Sequence, residues 1–141
     1  MSMRRVVYFG TLMLQGEECE DAVAASYNYA NCLNDMQRFQ EAKELMRKTM
    51  PVARRVLGMS RELVLRIRLL YAHTLYQDSA ATLDDLREAV TTLEELERTT
   101  RRVIGSSHPT TGAIEFNLQE ARAALRARET PPDELDEVEN A

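Results

Sequence analysis

The side chains able to do chemistry in this chain are few and scattered. His73 and His108 are its two histidines, and Cys19 and Cys32 its two cysteines. A metal or catalytic centre needs such residues at ligand spacing, close together on a loop or four apart on one helix face. Neither histidine lies in such a pattern, and His108 sits beside Pro109 in what reads as a linker. The acid pairs Asp84-Asp85 and Glu94-Glu95 suggest general acid–base work at first sight. Adjacent helix positions do not face each other, however, so they read as helix-start and surface residues. The sequence holds no Gly-rich phosphate loop, nucleophile elbow or HExxH. Two cysteines build no disulfide framework and read as small apolar residues in a reducing compartment. The expectation is a non-catalytic cytoplasmic protein with no cofactor and no metal site.

Recognition is the remaining chemistry, and repetition shows which elements position it. Tyr29-Ala30-Asn31-Cys32-Leu33 recurs 42 positions on as Tyr71-Ala72-His73-Thr74-Leu75. Arg54-Arg55-Val56-Leu57-Gly58 recurs 47 positions on as Arg101-Arg102-Val103-Ile104-Gly105, so five residues enter between Leu75 and Arg101. A period of this size marks stacked helical repeats, and the abundance of Ala, Leu, Glu and Arg with 5 glycines and 4 prolines favours helix throughout.

Periodicity places the helices. A stripe through Val23, Ser26, Ala30 and Leu33 predicts a helix from Glu18 to Asn34, and Asp35-Met36-Gln37 a turn. A second helix runs from Arg38 to Leu57, with Pro51 predicting a kink and Gly58 a left-handed cap. The next unit starts near Ser60; Thr82 and Asp85 have capping-box spacing before Leu83, Leu86, Val90 and Leu93. A last helix, Thr110 to Arg128, is more polar and reads as a cap. Five segments follow: a partial repeat helix over 1–16, a first repeat over 17–58, a second with a turn insertion over 59–105, a capping helix over 106–128 and an acidic disordered tail over 129–141. Arg4, Arg5 and the apolar run from Val6 imitate a secretory signal, but no small-residue cleavage site follows.

Charge is uneven. The chain carries −5 overall, yet its last 13 residues hold six acids and no base, which leaves the body at +1. Arg38, Lys43, Arg47, Lys48, Arg54, Arg55, Arg61, Arg66 and Arg68 form a basic stretch against three acids. Such a stretch could follow a nucleic-acid backbone, but no aromatics interleave it and its residues scatter around two helices. A solvated, ion-paired face is the reading preferred; an acidic peptide, or the tail folding back, suits it better than nucleic acid.

Small residues narrow the repeat type. Ala30 and Ala42 stand twelve apart, one in each helix of a pair. With Asn28, the Arg38-Phe39-Gln40-Glu41-Ala42 entry, the Arg-Val-Leu-Gly ending and the Gly105-Ser106-Ser107-His108-Pro109-Thr110-Thr111 linker, the chain resembles the tetratricopeptide repeats of kinesin light chains over about residues 12 to 125. It departs from them at Arg61-Glu62, where His-Pro is expected, and at Leu70 in place of asparagine.

The resemblance implies an all-α fold, a short right-handed α-solenoid of about five antiparallel helices. It further implies a concave groove lined by the first helix of each pair: Tyr27, Asn28, Asn31 and Asn34, then Leu69, Leu70, His73 and Tyr76, then Phe116, Asn117 and Glu120. Asparagine amides there would hold a peptide backbone, and the aromatics would make side-chain pockets. The expected function is a protein–protein interaction module binding a partner peptide or subunit. The alternative is a structural subunit that self-associates by stacking exposed repeat ends.

Overall fold

The computed structural model describes residues 19–58 and 61–130. The expected partial helix over 1–16 and the tail beyond Thr130 lie outside them. The described residues form five α-helices joined by short connections, without a strand: α1 Glu20–Asp35, α2 Phe39–Leu57, α3 Glu62–Gln77, α4 Leu83–Val103 and α5 Pro109–Glu129. The fold is all-α. None of these helices is long and apolar enough to cross a membrane.

Each helix end has a local cause. α1 starts two residues later than its apolar stripe suggests, because the Cys19 thiol takes the N-cap place and accepts the Ala22 N–H at 3.3 Å. Its other end closes without glycine. Arg38 N–H reaches Leu33 O at 2.8 Å and Gln37 N–H reaches Asn34 O at 3.0 Å, a Schellman motif that puts Gln37 at φ 61°. α2 runs on through Pro51 to Gly58. Gly58 is not in the left-handed helical conformation expected of it: its φ of 85° pairs with an extended ψ of 164°, a region essentially open to glycine alone. The predicted capping box is present, Thr82 and Asp85 exchanging bonds of 3.1 Å at the start of α4. Pro109 opens α5 after His108, whose Nδ1 accepts the Thr110 N–H.

The bounds also locate the five-residue insertion. α1 ends at Asp35 and α3 at its equivalent 42 positions on, Gln77. The connection that follows grows from three residues to five, and α4 begins three residues earlier than the equivalent of Phe39. The insertion is thus a longer loop plus about one helical turn. In the loop, Asp78 accepts the Ala80 N–H at 2.9 Å and Ala81 is buried.

Consecutive helices pack against each other, and α3 also touches α1 and α5, so it meets all four others. The core shows the repeat residue by residue. Ala30 and Ala42 are fully buried, and so are Ala72 and Ala89, their counterparts across the lengthened turn. Leu33 matches Leu75, Met46 matches Leu93, and Ile67 matches Ile114, all at 2% exposure or less. The core thus pairs fully buried small side chains, which allow close approach of helices, with larger ones that fill its volume.

Polar residues tie the layers together. α2 and α4 make no close backbone approach, yet Lys43–Asp85 at 3.7 Å and Arg47–Glu88 at 3.6 Å bridge them. Between these helices Tyr71 of α3 donates to Glu88 at 2.7 Å and accepts from Arg47 Nε at 2.9 Å. Burial, reinforced by the Glu88 carboxylate, pushes the Tyr71 phenol up to about 12.

Candidate binding groove

α1, α3 and α5 lie side by side, and their shared face carries most of the residues expected in a groove. Tyr27, Leu69 and Phe116 occupy equivalent positions in the three helices, 42 and 47 residues apart. Tyr27 and Leu69 are half-buried, and Phe116 is 60% exposed, among the most exposed large apolar side chains of the described residues. Tyr27, Leu69, Leu70, His73, Asn117 and Arg66 together line an open depression of about 180 Å³. Arg66 was assigned to the basic stretch, but it precedes Leu69 by three residues, the spacing that puts two side chains on one helix face.

The polar groups of this face work mainly between helices. Asn34 of α1 accepts the Thr74 hydroxyl at 3.0 Å, and its Nδ2 lies 3.4 Å from His73 Nδ1. Tyr76 of α3 donates to Asn117 Oδ1 of α5, with Glu120 Oε2 at 3.4 Å. The Asn117 amide nitrogen donates back to Ala113 O at 2.7 Å. Asn34 and Asn117 thus hold α1 to α3 and α3 to α5, where the sequence suggested peptide-binding amides. Tyr76 is correspondingly buried, and that burial raises its phenol above the ordinary value. Leu70 is also buried, reaching the depression only by its edge. Asn28 is exposed, Asn31 half-buried and Glu120 exposed.

His73 packs edge-on against Tyr76, centroids 5.3 Å apart. Burial holds its imidazole below the usual value, although Glu120 and Asp35 pull the other way. The ring is therefore neutral at pH 7 and can offer a hydrogen bond without a charge.

The basic stretch does not form one open surface. Acids arriving from α1, α2, α3 and α4 pair with most of it: Arg38 with Glu41, Lys43 with Asp85, Arg47 with Glu88, Arg61 with Glu20, and Arg66 with Glu62. Lys48, Arg54 and Arg55 are exposed. Arg68 is the exception in burial: its side chain is 6% exposed, bonded to Glu95 at 3.2 Å. Burial, and then the neighbouring Arg54 charge, hold its guanidinium below the ordinary value. Sequence missed this because α3 is covered on several sides, which a single amphipathic stripe does not announce.

Both cysteines are half-buried thiols outside any disulfide, and no group of three His, Cys, Asp or Glu among the described residues is placed to hold a metal ion. No family model, curated protein or solved structure matches this chain.

Proposed function

We propose that this chain is a non-catalytic protein-interaction module, a short right-handed stack of tetratricopeptide-like repeats similar to those of kinesin light chains, whose α1–α3–α5 face receives an extended segment of a partner protein. The observation that carries the reading is the row Tyr27, Leu69 and Phe116: one solvent-reachable apolar side chain per helix, at repeat-equivalent positions, with an open depression beside the first two. The 42- and 47-residue offsets, and the approach of alternate helices, support the repeat assignment.

The row also suggests the geometry of the segment. Packed helices lie about 8–10 Å apart. A polyproline II segment advances about 9 Å per three-residue turn, so an apolar side chain at every third residue meets one helix each. Neutral His73 within the depression favours an amide-bearing or acidic residue between those anchors, and Arg66 at the rim is shared with Glu62. The pairing of the basic stretch with acids lends no support to the nucleic-acid reading. Two half-buried thiols outside any disulfide suit a cytoplasmic setting.

The test is a fluorescence-anisotropy titration with two peptides of one composition. One has leucine or phenylalanine at every third position and an acid between; the other has the same residues shuffled. The periodic peptide should bind at least tenfold more tightly. Equal affinities, or no binding by either below about 1 mM, would remove the proposal.

A further inference from the structure

A second surface lies on α5, away from the row just described. Gln119, Arg122, Leu125 and Arg126 line an open depression of about 400 Å³ on this last described helix. Leu125 is half-buried and packs against the core, so its remaining surface is the apolar floor. Arg122 reaches Glu94 at 3.4 Å, whereas Arg126 is exposed and has no acidic partner among the described residues. The site thus offers one apolar contact flanked by two cations, one of them without an acidic partner among the described residues.

The residues that follow α5 have the complementary chemistry. Positions 131–141 read Pro-Pro-Asp-Glu-Leu-Asp-Glu-Val-Glu-Asn-Ala: five acids, no base, and two large apolar residues, Leu135 and Val138. Their starting point is fixed, because Thr130 bonds back to Arg126 O through its N–H at 2.9 Å and its hydroxyl at 2.8 Å. Reach agrees with composition. If Pro131 and Pro132 make the reversal, an extended chain starting at Asp133 brings Leu135 back by about 7 Å and Val138 by about 16 Å. Along the helix, Leu125 lies about 7 Å and Gln119 about 16 Å from Thr130.

We infer that the acidic C-terminal segment docks along α5, Leu135 on Leu125 and its carboxylates beside Arg126 and Arg122. The 38–68 stretch is a poorer seat for it, since most of those cations already meet a carboxylate. Docked in this way, the segment covers a flank of the last described helix, a surface on which another repeat or a second copy could stack. The chain then carries its own occupant for that end, held by charge and released by salt.

The experiment uses the full chain, isotope-labelled, and reads contacts between the Leu135 and Leu125 methyl groups together with backbone order at 133–138. At low salt the contact should be present and the segment ordered. Arg126→Glu, an exposed change checked for unaltered helicity, should abolish both, and so should about 1 M salt. Reversing Asp133, Glu134, Asp136 and Glu137 to lysine in the Arg126→Glu background should restore them. Absence of the contact at low salt, or its survival in Arg126→Glu, overturns the inference. A contact found only between labelled and unlabelled molecules in a mixed sample also overturns it, by giving the α5 flank to a second copy.

Discussion

Removing Phe116 separates binding from folding more cleanly than any other substitution in the row. A phenylalanine exposes about 200 Å² when free. At 60% exposure, roughly 120 Å² of Phe116 still faces solvent. At about 25 cal/mol per Å², complete covering by a partner contributes up to about 3 kcal/mol, and covering of half contributes about 1.5. Phe116→Ala should therefore weaken the periodic peptide by about 10- to 100-fold, on the same arithmetic. Stability should change by less than about 0.5 kcal/mol, as for surface substitutions generally. Leu69→Ala sits in the middle of the row but is half-buried, so it should lose both affinity and stability. The assay is anisotropy for affinity and urea unfolding for stability, on the same preparations. If Phe116→Ala keeps its affinity, or loses stability as Leu69→Ala does, the side chain serves packing and the groove argument fails.

Three further outcomes follow from the packing. Arg68 is buried against a half-exposed Glu95, so Arg68→Met should be neutral or stabilising by up to about 2 kcal/mol, whereas Glu95→Gln, which strands the cation, should cost about 1–2 kcal/mol; urea midpoints in the reverse order would refute this account of the pair. Gln37→Gly should stabilise by about 0.5–1 kcal/mol, since it relieves a left-handed residue while adding unfolded-chain entropy; a lower melting temperature would contradict the cap assignment. Because burial lowers the His73 value in the folded state, the unfolded chain takes up that proton first as pH falls through about 6.5. Its contribution is complete above that pH and is lost below it, so urea midpoints should drop between pH 7.5 and 5.5, and His73→Gln should show a smaller drop; equal drops would exclude His73 as the cause.

Helix positions were legible in the sequence wherever a pattern spans several turns or a cap has a fixed spacing. The Thr82–Asp85 box, Pro109 at a helix start and the paired alanines are of this kind, since each follows from local sterics or hydrogen bonding. Gln37 escaped because nothing in a glutamine announces a left-handed residue; the bonds from Arg38 and Gln37 back into α1 impose it. Cys19 escaped for a similar reason, a thiol being an unusual N-cap. At the groove, the row of apolar positions was visible as repeat equivalents, but the duties of Asn34, Asn117 and Tyr76 were not. An amide that binds a guest backbone and one that ties two helices look alike in sequence, and only the neighbouring helix decides between them.

The longer turn before α4 separates two kinds of change that the chain can absorb. Asp85 lies in the added turn, where it caps the helix and meets Lys43 of α2, while Ala72 and Ala89 stay as fully buried as Ala30 and Ala42. Length is therefore taken up at a seam outside the alternating layers, and the spacing within each helix stays untouched. Related chains of different length should vary at the exposed Ser79 and Ala80, and a loop or tag inserted between them should leave the helices seated as they are.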